Sequence, residues 1–257
     1  MGTEPLSGQH AIVTGGGRGI GAAIAGEFAR LGADITIMGR SLDTLSARRA
    51  ALIEEYGRSV DAIALDVTDP ESVSAAFAAA RPATILVNNA GAAFSAPFLA
   101  TPPERWQQML EVNLLGAVRC AAAALPSMLE ANYGRVVNVA STAGLKGYAY
   151  VSAYVAAKHG MVGLTRALAL ETARTGVTVN AVCPGFTDTD LLAESVSNIV
   201  TATGRSEEEA RAVLTRSNPQ GRLITPDEVA SAVGWLCLPE SASVTGQCIV
   251  VAGGEMM

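Results

Sequence analysis

Charge and histidine are scarce in this chain. Asp, Glu, Lys and Arg make up 16% of its 257 residues, only two residues are His, and the formal charge is −6. A protein whose main partner is nucleic acid carries a basic stripe against the phosphates, and here Arg48-Arg49 is the only adjacent basic pair. Nucleic acid is therefore not the expected partner. The four cysteines, Cys120, Cys183, Cys237 and Cys248, are widely spaced with no CxxC pair, a pattern that suggests neither a zinc site nor a disulfide framework. Reduced thiols and no metal are expected. No unbroken apolar run approaches the roughly 18 to 20 residues of a membrane span. The opening MGTEPLSGQHAIVTG lacks a basic region followed by an apolar stretch, and Leu6 stands where a myristoylation signal needs Ser or Thr. These absences predict a soluble, cytoplasmic protein with no membrane partner.

What is present is an alternation of short β-branched runs with Ala-rich stretches, which signals repeated βαβ units about a parallel sheet. The runs predict strands at about 10–14, 34–38, 61–65, 84–88, 135–140, 177–182 and 248–252. Helices are predicted at about 19–31, 42–56, 70–79, 103–130, 152–174 and 226–238, with Ser41 and Asp69-Pro70 as start signals. The strands are continuously apolar, as in a sheet covered on both faces. The predicted fold is α/β: one Rossmann domain over 1–257, with a doubly wound, seven-stranded parallel sheet. Residues 187–218 interrupt the rhythm and are expected to form an inserted lid without a strand. Within it Leu191, Leu192, Val196, Ile199 and Val200 fall at helical spacing, their stripe facing either the protein body or a substrate.

The first strand runs into TGGGRGIG (14–21) and then a helical pattern. Only glycine lets a backbone turn tightly and approach a pyrophosphate, while the helix beyond offers unpaired N–H groups and a positive dipole end. Strand, glycines and helix together predict a dinucleotide site, readable in two registers, Gly15/Gly19/Gly21 or Gly17/Gly19 with Ala22. Sites for unphosphorylated NAD usually carry an acid at the end of the second strand. Here Arg40 stands there, and with Arg18 it is placed to receive a 2′-phosphate by paired charge-assisted hydrogen bonds. NADP(H) is the preferred cofactor and NAD(H) the alternative.

Tyr154 and Lys158 open a predicted helix, and a spacing of four places phenol and ammonium on one face. Ser141 lies at the end of the 135–140 strand, where open α/β sheets present their ligands. Asn113 sits mid-helix, where Asn is unfavourable unless it serves a local backbone or water-bridging role.

TGGGRGIG, NNAG (88–91), Asn113, Ser141, YVAAK (154–158) and Pro184-Gly185 occur in the order found in the short-chain dehydrogenase/reductase family, which the chain resembles over nearly its whole length. The resemblance implies hydride transfer between a nicotinamide dinucleotide and a ketone or secondary alcohol. It implies that Tyr154 exchanges the substrate proton, Ser141 hydrogen-bonds the reacting oxygen, Lys158 binds the nicotinamide ribose and favours the tyrosinate, and Asn113 holds a water. The cofactor set it implies comprises Gly15, Gly17, Arg18, Gly19, Ile20, Gly21, Arg40, Asp66, Val67, Asn88, Ala90, Gly91, Tyr154, Lys158, Pro184, Gly185, Thr187 and Thr189. A homotetramer built through the two long helices and the last strand is also implied.

Within the family the motifs are most similar to polyketide and 3-oxoacyl ketoreductases, while the lid looks like that of 3-hydroxybutyrate dehydrogenases. The polar residues that bind a small carboxylate in the latter group are replaced by Ala93, Ala143 and Val151. The expected substrate wall of Phe94, Ala143, Tyr148, Tyr150, Phe186 and Leu191 favours an apolar or aromatic ketone or a 3-oxoacyl thioester. An NAD-linked alcohol or hydroxyacyl dehydrogenase and a non-catalytic dinucleotide sensor are the rival readings.

Overall fold

A computed structural model describes residues 4–256, apart from the side chains of Glu194, Ile199 and Ala202. Seven strands, β1 (His10–Thr14), β2 (Asp34–Gly39), β3 (Val60–Ala64), β4 (Ile85–Asn88), β5 (Gly134–Val139), β6 (Val177–Pro184) and β7 (Cys248–Val251), form one sheet in the order β3-β2-β1-β4-β5-β6-β7. All pairings are parallel, with Ile12 beside Leu86 and Asn138 beside Ala181. Helices α1 (Gly19–Arg30), α2 (Leu42–Tyr56) and α3 (Pro70–Ala79) connect the first four strands.

Consecutive residues of the central strands face opposite layers, so apolar residues are needed on both faces. Val13, Ile35 and Val87 point to one core with Ile24, Phe28 and Leu52, which helix α9 (Pro226–Cys237) completes through Val229 and Val233. Ile12, Leu86 and Val136 point to the other, with Val73, Cys120 and Met128. Two-sided burial is what the unbroken apolar runs of the sequence record.

Both helix starts expected from the sequence are capped. Ser41 Oγ accepts from Thr44 N at 3.3 Å, and Asp69 Oδ1 accepts from Glu71 N at 3.0 Å with Pro70 at the first helical position.

The expected continuous helix over 103–130 is instead α4 (Pro103–Leu110), a π turn (Glu111–Leu115) and α5 (Gly116–Glu130). By length and composition alone this stretch is apolar enough to cross a bilayer, but here α5 packs on β4 and β5. Helix α6 (Ser152–Thr172) lies beside β6.

The segment expected to form a lid contains two helices, α7 (Asp190–Thr203) and α8 (Glu207–Thr215), where the sequence suggested one. Ser206 and Glu209 start α8 with reciprocal side-chain-to-backbone bonds, a capping box. Thr187 pairs with Ile224 in a single parallel bridge, a small departure from the strandless segment expected.

Candidate active site

The strand order turns back between β1 and β4, which opens a crevice above their carboxyl ends. Thr14 fixes its floor: Oγ1 accepts from the N–H groups of Asn89 and Ala90, both at 3.0 Å. Asn89 Nδ2 returns a bond to Thr14 O at 2.9 Å. Over this staple runs the glycine loop, with Gly15 and Gly19 in the left-handed region at φ 65° and 53°. A Cβ built on Gly21 would overlap the Gly15 carbonyl and Asn89 Nδ2. Helix α1 can therefore approach β1 only with glycine there. Its start lacks a side-chain cap, leaving the positive end of the helix facing the crevice. This narrow cradle fits a dinucleotide pyrophosphate.

Arg40 is exposed at the end of β2, within electrostatic reach of Asp66, whose carboxyl is held below its usual range chiefly by the hydroxyl and N–H of Thr68 and secondarily by Arg40. Arg18 is also exposed and lies 3.5 Å from Asp190 at the start of α7. The lid thus reaches the glycine loop, and a Cβ on Gly19 would touch Thr189 at 3.3 Å. Gly17 and Ile20 lie partly open in the loop, as Ala90 does opposite, and Gly91 is exposed. Asn88 is buried beneath them, its amide donating to Asn138 Oδ1 at 2.9 Å. Val67 is buried against Gly116. Pro184 ends β6, and Gly185 and Thr187 begin the lid, where Thr187 Oγ1 donates to Gly185 O at 3.0 Å.

Ser141, Tyr154 and Lys158 converge at the end of β5. The Ser141 oxygen accepts from Ala143 N at 3.1 Å, which leaves its hydroxyl proton free to donate. Lys158 is buried, donates to Val139 O at 2.8 Å and stands 5.7 Å from the centre of the Tyr154 ring. Burial pushes the Tyr154 phenol above its usual value and the Ser141 hydrogen bond opposes the shift. Burial also brings the Lys158 ammonium down to about 8. The adjoining Cys183 thiol is pushed up to about 12, chiefly by burial, and stays neutral.

Asn113 is fully buried in the π turn and faces the NNAG loop. Its Nδ2 donates to Ala92 O at 2.9 Å and Met109 O at 3.1 Å, and its Oδ1 accepts from Ala92 N at 3.2 Å. The residue thus fills the local backbone role that an Asn at this place requires.

The expected substrate residues separate. Phe94 and Leu191 line a small cleft with Ala93, Ser95, Val151, Ser195 and Asn198, and Arg105 lies 4.9 Å over the Phe94 ring. Tyr148 meets Phe186 edge-on at 6.0 Å. Ala143 is buried beside Ser141. Tyr150 is 66% exposed with φ 68°, its carbonyl accepting from Ala96 N. Leu192 and Val196 pack on Ala210 and Leu214 of α8, so the α7 stripe divides between the neighbouring helix of the same segment and the cleft. The side chain of Ile199 lies outside the described residues. Lys146 and Glu255, which the sequence reading did not single out, adjoin this wall. The signal for Lys146 was available: it and Lys158 are the chain's only lysines. Among the described residues no group of three or more His, Cys, Asp or Glu is gathered as a metal site needs.

Residues 9–200 match the short chain dehydrogenase family. The chain belongs to that family. It is 38% identical to the 3-oxoacyl-(acyl-carrier-protein) reductase FabG of Vibrio cholerae, with 98% of this chain and 99% of the relative covered. It is also 38% identical to a D-beta-hydroxybutyrate dehydrogenase of Cupriavidus necator, covering 97% and 98%. A crystal structure of an actinorhodin polyketide ketoreductase with NADPH superposes at a TM-score of 0.93, with 38% identity and 99% of both chains covered. This short-chain dehydrogenase is an oxidoreductase that interconverts ketone and alcohol with a nicotinamide dinucleotide.

Proposed function

We propose that the chain is a cytoplasmic NADP(H)-dependent reductase of a neutral ketone, a 3-oxoacyl thioester or another apolar or aromatic ketone, with Tyr154 as proton donor. One observation carries the reading: the Tyr154 phenol is held between Ser141 and Lys158 and kept protonated by burial. Such a phenol suits proton delivery to an oxygen that gains charge as a carbonyl is reduced. Ser141, its oxygen already accepting from Ala143 N, donates to that same oxygen. Lys158, still mostly protonated at neutral pH, supplies the positive field that eases proton loss from Tyr154. Bound NADPH supplies the hydride. Gly15, Gly17, Gly19 and Gly21 hold its pyrophosphate, Arg18 and Arg40 its 2′-phosphate, Asp66 and Val67 flank the adenine, and Ala90, Gly91, Gly185, Thr187 and Thr189 line the remaining length of the crevice.

A homotetramer is supported by exposed apolar side chains on the long helices, Val118 and Leu129 on α5 and Leu170 on α6. Sedimentation equilibrium checks it.

The deciding experiment is Tyr154→Phe. It is expected to lower kcat by about 10²- to 10⁴-fold while NADPH binding, followed by nicotinamide fluorescence, stays within about twofold. Undiminished turnover of ketones would reject the mechanism.

A further inference from the structure

The C-terminal tail carries an acid into the substrate side of the site. The Glu255 side chain is 1% exposed, and two groups of the loop after β5 reach it. Tyr148 donates its phenol proton to Glu255 Oε1 at 2.6 Å, and Lys146 Nζ lies 3.0 Å from the same oxygen. With the Tyr148 proton so committed, the Thr142 hydroxyl, 2.7 Å away, is the donor to the phenol oxygen. The Lys146 ammonium stands 5.0 Å over the Tyr148 ring. Tyr148 and Tyr154 are electrostatic neighbours.

The path of the tail makes this contact possible. Gly253 and Gly254 turn in the left-handed region, at φ 59° and 91°. A Cβ on Gly253 would overlap the Asn218 side chain, and one on Gly254 would press on Pro219 at 3.2 Å. The tail is thereby seated against the segment that leaves the lid. A Cβ on Gly185 would stand 3.1 Å from Glu255 Oε2, so the last turn also rests on the end of β6.

A buried carboxylate persists only when paired and hydrogen-bonded, and here one cation and one phenol satisfy it. The consequence for a ligand is electrostatic. Lys146 is the cation that stands over Tyr148, and Glu255 pairs with it. A ketone bearing a carboxylate gains no unpaired charge from Lys146 there, whereas an ester or thioester needs none.

We propose that Glu255 is a specificity-determining residue: by neutralising Lys146 and holding Tyr148 against Phe186, it makes the site select neutral 3-oxo esters and thioesters over 3-oxo carboxylates. The proposal rests on the reading of this site as a ketone-reducing one.

The test compares ethyl 3-oxobutanoate with 3-oxobutanoate in the NADPH-bound enzyme. The ester is expected to exceed the acid in kcat/KM by at least about tenfold in the wild type. In Glu255→Gln, which keeps a side-chain acceptor for Tyr148 but frees Lys146, that ratio is expected to fall at least about fivefold, through KM for the acid and not through kcat. Lys146→Gln, which leaves the Glu255 charge unanswered, is expected to raise it. Ratios within twofold of wild type in both variants would overturn the proposal, and Lys146→Gln decides alone if Glu255→Gln does not fold. Should the wild type reduce neither compound, the ketone reading fails separately. Calorimetric binding of 3-oxobutanoate to the NADP-bound protein then decides: tighter binding to Glu255→Gln supports the role of Glu255, and equal binding removes it.

Discussion

The Asn113 side chain pairs with both backbone groups of Ala92, accepting from its N–H at 3.2 Å and donating to its carbonyl at 2.9 Å. A side-chain amide thus does for the NNAG loop what a neighbouring strand does for an edge. Gly91 fits beneath it because a Cβ there would come within 2.8 Å of Asn113 Oδ1. Asn113→Ala removes both bonds to these part-buried groups and is expected to cost about 1 to 3 kcal/mol. Urea unfolding measures the loss. Cofactor binding should weaken in parallel, because Ala90 and Gly91 flank the crevice, and a variant as stable as the wild type would show that the pairing contributes nothing.

Gly21 tests the phosphate cradle in a different way. Its missing Cβ leaves room for the Gly15 carbonyl and the Asn89 amide, neither of which can withdraw without breaking the staple to Thr14. Gly21→Ala is expected to push α1 off β1, destabilise by about 1 to 3 kcal/mol and weaken dinucleotide binding at least tenfold. Thermal unfolding and cofactor titration read the two effects separately.

The sheet and the meeting of Ser141, Tyr154 and Lys158 were legible in the sequence for physical reasons. Two-sided burial writes strands such as β1 and β4 as short, mostly apolar runs, and a spacing of four on a helix brings Tyr154 and Lys158 together. The π turn left no such trace, since the apolar pattern of 103–130 continues through it and only the misfit Asn113 marks the place. Helix α8 carried a readable start in Ser206 and Glu209, yet its charged face obscured the periodicity. The Tyr148–Glu255 bond joins positions 107 apart, and no local rule of spacing brings a tail to a loop across that distance.

The proposed preference for NADP(H) rests on Arg40 and Arg18. A charge-assisted hydrogen bond to a phosphate is worth about 1.5 to 3 kcal/mol, so Arg40→Glu is expected to shift the ratio of NADPH to NADH affinity by about ten- to several-hundredfold toward NADH. Arg18→Ala should shift it less, because Arg18 already shares its charge with Asp190. Fluorescence titration with both dinucleotides measures the ratios. A wild type that binds NADH tenfold more tightly than NADPH would refute the assignment of both arginines.

Lys158 makes stability depend on pH. Burial lowers its ammonium from 10.5 in the unfolded chain to about 8 in the fold. Between those values the unfolded chain holds more protons than the native one, and linkage then requires stability to rise with pH through that window. Below pH 8 the lysine is charged in both states and the burial cost is fully present; as pH climbs toward 10.5 the native side chain is neutral and the cost disappears. Lys158→Met removes the titration and keeps the volume, and the lost bond to Val139 O is a constant offset. The unfolding free energy of the wild type relative to Lys158→Met is therefore expected to rise by about 2 kcal/mol between pH 7 and pH 9.5. Urea titrations of both proteins across that range give the difference directly, and parallel profiles would mean that Lys158 keeps its ordinary affinity for a proton inside the fold.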